Sequence, residues 1–107
     1  MIETTYEFKT SDSKLVEKIV NDDNVHINHI ILEKGQNMPE HFSNSNVYFI
    51  IVQGEMRLTL SDNEPNNHTH GSIVNVPYNT KMLIQNINTP LMEFFVLKSP
   101  NPKHFEE

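Results

Sequence analysis

The 107-residue sequence contains no cysteine, tryptophan or alanine. Without cysteine, disulfides, thiolate zinc sites and cysteine nucleophiles are excluded. No apolar run approaches the ~20 residues that span a bilayer, so we expect no membrane partner. Basic residues number 8 against 14 acidic ones, and the net charge of −6 repels phosphate backbones, so we expect no nucleic-acid partner. The opening Met1-Ile2-Glu3 does not fit a secretory signal, and the expected location is cytoplasmic.

The missing alanine removes the best helix-forming residue, whereas isoleucine occurs ten times. Short β-branched and aromatic segments recur every ~8–12 residues with turn residues between them, a pattern typical of an all-β sandwich or barrel. A length of 107 residues predicts one domain. The clearest strands are predicted at Leu15–Val20 (a helix is the alternative there), Val25–Leu32, Val47–Val52, Met56–Leu60, Ser72–Val76, Met82–Ile84 and Leu91–Leu97.

The two ends of the chain are expected to lie outside the barrel core, which we place at about residues 25–98. Residues 1–24 are predicted to supply N-terminal strands, because Ile2, Tyr6 and Phe8 alternate and residues 15–20 favour a hairpin with residues 25–32. Residues 99–107 contain two prolines and few apolar side chains, and are predicted to form an arm or a disordered tail with Phe105 as its only anchor.

Six residues stand at fixed offsets along the middle of the chain. Five residues separate Gly35 from His41, and five separate Gly71 from Pro77. The full set of spaced residues is Gly35, His41, Gly54, Gly71, Pro77 and Asn86. This spacing resembles the two motifs of small single-domain cupins, over roughly residues 25–98. The resemblance implies a double-stranded β-helix, a jelly-roll barrel that closes on itself and keeps a pocket inside.

The same resemblance bears on metal binding. In cupins, two histidines and a glutamate of the first motif and a histidine of the second bind one divalent metal. The corresponding residues here are His41, Ser43, Val47 and Met82, so one ligand of four is kept. Because a metal site needs about three protein donors, we expect no metal and no cofactor. The two-residue period of a strand puts Phe49 on the same face as Val47, and these five residues form the predicted ligand-binding pocket.

The remaining histidines have more than one interpretation. His26 and Asn28 share a strand face with Ile30, and either line the pocket mouth or are surface residues. His68 and His70 have the i, i+2 spacing that could hold zinc with a third ligand, although a solvated strand start is the simpler reading. His41 itself could be a general base, a ligand-anchoring group or a residual metal ligand, or its nitrogens could be satisfied by backbone or water.

Three functions fit the sequence. The first is a metal-free protein that binds a small, partly apolar molecule, oriented by His41 and Ser43. The second is a metal-dependent cupin enzyme, an oxygenase or isomerase acting on a small metabolite, with donors added from residues such as His26 or Tyr48. The third is a non-catalytic structural dimer. A homodimer that buries one face of the Val25–Leu32 or Val47–Val52 strand is expected, because both strands are apolar on both sides. For Val47–Val52, the second sheet or the N-terminal segment is the alternative cover.

Overall fold

A computed structural model describes residues 2–105 as two facing β-sheets. In the described part of the chain no helix is long and apolar enough to cross a membrane. A single 3-10 turn, Pro102–Phe105, follows nine strands: β1 (Leu15–Asn21), β2 (His26–Glu33), β3 (His41–Phe42), β4 (Val47–Gln53), β5 (Glu55–Leu60), β6 (Asn66–Thr69), β7 (Ile73–Val76), β8 (Lys81–Gln85) and β9 (Leu91–Lys98).

The strands form a five-stranded sheet in the order β1-β2-β9-β4-β7 and a four-stranded sheet in the order β3-β8-β5-β6. Every pairing is antiparallel. The all-β prediction is confirmed, and so is the hairpin that pairs β1 with β2. The turn of that hairpin is fixed by Asp22, whose Oδ1 accepts the backbone N–H groups of Asn24 and Val25 at 2.8 and 2.9 Å.

The core lies between the two sheets and follows the two-residue period of the strands. On β4, Val47, Phe49 and Ile51 are at most 1% exposed, whereas Val52, which faces outward, is 45% exposed. Phe49 packs edge-to-face against Phe94 of β9, with ring centroids 6.0 Å apart. The alternation in β4 therefore sets which side chains enter the barrel.

The chain changes sheet at Gly54, between β4 and β5. Gly54 has φ of 78°, and a Cβ built on it would collide with the backbone carbonyl oxygen of Leu91. Only glycine tolerates both conditions. At Asn79, where the cupin motif has a glycine, the backbone has φ of 62°, the left-handed conformation that asparagine accepts more readily than other side chains.

Residues 2–14 form no strand, so the N-terminal strands predicted within residues 1–24 reduce to β1. This segment is instead held against the outer face of the larger sheet by contacts around His29. The His29 ring is fully buried, with Nδ1 at 2.7 Å from Glu17 Oε1 and Nε2 at 2.6 Å from Glu93 Oε2. Phe8 packs on the His29 ring at 5.0 Å between centroids, and the Lys9 backbone N–H donates to Glu17 Oε1 at 2.9 Å.

The C-terminal segment is attached more firmly than predicted. Phe105 does stack on Tyr78, with centroids 4.3 Å apart, yet it is 40% exposed. The main anchor is Asn101, which is 4% exposed and donates its side-chain amide to Asn21 Oδ1 and to the carbonyl of Asp22, both at 2.7 Å. Met1, Glu106 and Glu107, which the sequence assigned to the terminal segments, lie outside the described residues.

Candidate functional site

A cavity of about 180 Å³ lies inside the barrel, between the inner faces of the two sheets. Its walls come from five strands, β2, β3, β4, β8 and β9, together with Met38 from the segment that precedes β3. The lining residues are Asn28, Ile30, Met38, His41, Val47, Phe49, Met82, Ile84, Val96 and Lys98. Four of the five predicted pocket residues are therefore brought together in one cavity.

His41 lies on β3 at the edge of the smaller sheet, where its side chain lines the cavity but remains exposed. Its Nδ1 lies 2.8 Å from the carbonyl oxygen of Pro39. Because a carbonyl oxygen only accepts hydrogen bonds, Nδ1 is the donor. In the neutral ring, Nε2 then carries the lone pair, and His41 offers one acceptor at the cavity mouth.

The apolar walls agree with the strand period read from the sequence. Val47, Phe49 and Met82 are each at most 3% exposed and line the cavity together. Met82 lies directly opposite His41 in the pairing of β8 with β3. A ligand that enters past His41 would meet these three side chains.

Ser43 departs from the expectation that it would be the second polar group of the pocket. It is 2% exposed but does not line the cavity, since β3 ends at Phe42 and the chain turns away. Its hydroxyl donates to the Pro77 carbonyl at 2.7 Å and accepts the Thr80 backbone N–H at 2.8 Å. Ser43 therefore closes a turn, and its hydroxyl hydrogen is already donated within the fold.

Two polar residues that line the cavity are not among the five predicted pocket residues. Asn28 lines it from β2, and its Oδ1 is buried without a hydrogen-bond partner among residues 2–105. Lys98 lines it from the end of β9. Burial, and after it the charge of Lys18, lowers the pKa of the Lys98 ammonium below its usual value. The two-residue period of β2 indicated that Asn28 could face the pocket. Lys98 was missed because it lies one residue beyond the strand predicted at Leu91–Leu97.

His26 lies on the same face of β2 as Asn28, directly opposite Lys98 in the pairing with β9. Its Nε2 is buried without a partner in the described part of the chain. Burial is the main cause that lowers the pKa of His26, followed by the charges of Lys98 and Lys18. His26 lines a shallower pocket next to Asn101 rather than the cavity itself.

The donors inside the barrel do not fit the divalent metal of typical cupins. Of the four positions that would hold it, only His41 supplies a nitrogen or oxygen ligand inside the cavity, since Ser43 lies outside it. Within residues 2–105, no three His, Cys, Asp or Glu side chains converge into a metal-binding group. His68 on β6 and the exposed His70 after it belong to no such group.

A larger open groove of about 570 Å³ lies outside the barrel, where β4 passes into β5. It is lined by backbone and side chains around Gly54, with His70 and Leu91 at its sides. The smaller cavity is the better candidate site, because it is more enclosed than the groove and its largely apolar walls carry a few polar groups.

Comparison with known proteins agrees with the fold and with the motif spacing. The cupin family model matches residues 10–106. The chain belongs to the cupin family. An uncharacterized protein of Methanocaldococcus jannaschii is 59% identical to this cupin over 104 residues, which are 96% of this chain and 90% of that protein.

Solved structures extend the comparison. The crystal structure of an RmlC-like cupin family protein with a double-stranded β-helix fold, also from Methanocaldococcus jannaschii, superposes with a TM-score of 0.96 at 56% identity, covering 100% of this chain and 99% of that one. A cupin superfamily protein of Desulfitobacterium hafniense superposes with a TM-score of 0.73 at 16% identity, covering 87% of this chain and 83% of that one. The predicted jelly-roll barrel, a double-stranded β-helix, is thereby confirmed.

Proposed function

We propose that this cupin is a metal-free binding protein for a small, partly apolar molecule held inside the barrel. The observation that carries the proposal is the cavity itself, whose largely apolar lining includes Asn28 Oδ1, a buried polar atom without a hydrogen-bond partner among residues 2–105. A buried polar atom without a hydrogen bond costs free energy, and a ligand that supplies the missing partner recovers it.

The cavity size limits what can bind. Apolar cavities of about 150 Å³ hold a benzene molecule, whereas drug-sized ligands occupy about 300 Å³ or more. At about 180 Å³ the cavity suits a molecule with one compact apolar group and a polar end at the mouth. Nucleotides and sugar nucleotides are too large to enter it whole.

His41 orients such a ligand in this proposal. With Nδ1 held by Pro39, the free Nε2 accepts a hydrogen bond from a ligand hydroxyl or N–H group. Phe49 and Met82 contact the apolar part below it. The role that the sequence suggested for His41 is kept, whereas Asn28 replaces Ser43 as the second polar group.

The chemistry of the donors is the reason for proposing a binding protein rather than a metal-dependent enzyme. One imidazole with no carboxylate or second histidine beside it holds a divalent metal weakly. We expect elemental analysis of the purified protein to find far less than one Zn, Fe, Mn, Ni or Cu per chain. About one metal ion per chain, lost in His41→Ala, would overturn this part of the proposal.

The binding proposal is tested by blocking the cavity. We expect small aromatic and branched aliphatic compounds that bind the wild type, detected by ligand-observed NMR, to bind Val16→Phe equally well. Val16 is 54% exposed on β1 and lies outside the cavity. The same compounds should fail to bind Val47→Phe and Val96→Phe, in which the new ring fills the space. Unchanged binding to folded forms of both blocking variants would refute the cavity as the site.

We also propose that the protein is a homodimer, which the outer face of the larger sheet supports. The N-terminal segment covers this face around His29, which is 0% exposed. Farther along the sheet, Val52 of β4 and Ile73 of β7 remain 45% and 67% exposed, and Ile73 lies opposite Ile50. The surface that a second chain would cover is therefore on β4 and β7. Of the two strands considered from the sequence, this favours Val47–Val52 over Val25–Leu32. A stable dimer buries about 800 Å² per partner.

A further inference from the structure

Lys98 places a positive charge in the cavity without a negative one beside it. The residue lines the cavity and is partly buried. Among residues 2–105, no carboxylate oxygen lies within 4.0 Å of its ammonium, although the chain as a whole has a net charge of −6. A cation withdrawn from water without a counter-ion is costly, and an anion bound next to it offsets that cost.

The groups around Lys98 strengthen this imbalance. His26 lies directly opposite it across β2 and β9, where facing side chains are about 5 Å apart at Cβ. Lys18 of β1 lies opposite Asn28, so a second ammonium approaches the same end of the barrel. The pKa values of His26 and Lys98 are both lowered, first by burial and then by neighbouring positive charge. A bound anion would counteract the effect of the positive charge.

Asn28 completes the polar end. Its Oδ1 is buried without a partner in the described residues, and it is next to Lys98 in the lining of the cavity. Rotation of the amide exchanges its oxygen and nitrogen, so Asn28 can donate to an anion or accept from a hydroxyl. The apolar walls below, Phe49 and Met82, have no group that would bind charge.

We infer that the cavity binds a small monocarboxylate, with its carboxylate held by Lys98 and Asn28 and its short apolar body against Phe49 and Met82. This inference rests on the proposed binding function and adds the chemical class of the ligand. The carboxylate accepts hydrogen bonds from the Lys98 ammonium and the Asn28 amide. Inorganic phosphate would supply the charge but no apolar group to fill the cavity.

The test uses matched probes and matched variants. 3-Methylbutyrate and 3-methylbutanamide have the same shape and differ in charge, and inorganic phosphate has charge without an apolar body. The variant Lys98→Met removes the cavity ammonium. Lys103→Met removes a lysine outside the cavity, one that pairs with Asp23, and changes the net charge equally. Binding is measured by NMR titration of the folded proteins up to about 10 mM, a range that still detects the weak affinity expected of a ligand this small.

We expect 3-methylbutyrate to bind the wild type and Lys103→Met alike and more tightly than the amide or phosphate. In Lys98→Met its affinity should fall by about tenfold or more, because a charge-assisted hydrogen bond is lost, while the affinity for the amide stays unchanged. Asn28→Ala removes the amide contact and leaves the ammonium in place, so it should show a smaller loss. It serves as the second variant if Lys98→Met does not fold.

Three results would overturn the inference. If the amide binds as tightly as the carboxylate and is excluded by Val47→Phe, the binding function stands but the carboxylate class is wrong. If phosphate binds as tightly and depends on Lys98, the apolar half of the inference is wrong. If none of the three probes binds, the inference fails, and the fragment experiment with Val47→Phe then decides whether the cavity binds any ligand.

Discussion

The buried His29 on the outer face of the larger sheet leads to a prediction about stability and its pH dependence. Both ring nitrogens face carboxylate oxygens, of Glu17 at 2.7 Å and of Glu93 at 2.6 Å. Since carboxylates only accept hydrogen bonds, both contacts are hydrogen bonds when the ring is a doubly protonated imidazolium. The substitution His29→Leu keeps a similar volume against Phe8 and Phe95 but removes both bonds.

The magnitude follows from the burial of the three groups. A hydrogen bond to a charged group contributes about 1.5–3 kcal/mol. Both carboxylates keep 18% of their side-chain surface exposed, so in the variant they recover part of the loss from water. We therefore expect His29→Leu to lower the free energy of unfolding by about 2–4 kcal/mol near pH 7, less than two full charge-assisted bonds. For 107 residues this corresponds to a Tm lower by roughly 9–18 °C.

The pH dependence has a definite sign. The pKa of Glu17 is lowered from its usual 4.5, first by the hydrogen bond from the Lys9 backbone and then by the bond from His29. A carboxyl group with a lowered pKa stabilises the fold above its unfolded-state value, and this stabilisation is lost as the pH falls through the folded-state value. The difference in Tm between wild type and His29→Leu should therefore narrow as the pH falls below about 4.5.

The assay is thermal unfolding followed by circular dichroism at a series of pH values. His68→Leu is the matched control, because it also replaces a histidine with leucine, on the smaller sheet. His68 has no side-chain hydrogen bond within residues 2–105. His68→Leu should change the free energy of unfolding by no more than about 0.5 kcal/mol. A His29→Leu protein that melts within two or three degrees of the wild type at pH 7, or a difference that does not narrow in acid, would refute the reasoning.

Three further predictions concern the interior and the assembly. Val47→Ile should stabilise the fold by about 0.5–1 kcal/mol, because its extra methylene enters the cavity, whereas Val76→Ile, at an equally buried position outside the cavity, should destabilise the fold by about 1–3 kcal/mol. If denaturant titrations give the reverse order, there is no space beside Val47. Asn86→Asp should lower the free energy of unfolding by about 3 kcal/mol or more, because the Asn86 amide donates to the carbonyls of Leu32 and Thr89 at 3.0 and 2.9 Å. The stability of this variant should improve as the pH falls and the new carboxyl becomes neutral, and no improvement in acid would contradict the prediction. Light scattering at micromolar concentration should show a dimer that dissociates in Ile73→Lys, and a wild-type monomer would count against the proposed interface.

The barrel and its interior face could be predicted from the sequence because the signals are local. Gly35, Gly54 and Gly71, which belong to the spacing that resembles the cupin motifs, lie where the chain passes from one sheet to the other. The strand period correctly placed Val47 and Phe49 on the inward face. Asn79, which stands where the cupin motif has a glycine, adopts the left-handed conformation that asparagine tolerates.

The polar part of the site depends on where strands end, and strand ends are weakly encoded. β3 is only two residues long, so Ser43, two residues after His41, has already left the strand that would have directed it inward. β9 runs one residue farther than predicted and carries Lys98 into the cavity. Asn101 was missed because its partners, Asn21 and Asp22, are about eighty residues away in the chain.

The place of β9 in the larger sheet has a consequence for how the protein is made. β9 is the last strand of the described chain, yet it lies between β2 and β4, pairing with His26–Glu33 on one side and with β4 on the other. While the ribosome is still synthesising residues before Leu91, the first hairpin and β4 have no strand to join them. The barrel therefore closes only after translation has passed β9, and until then the unpaired strand edges of the nascent chain favour aggregation.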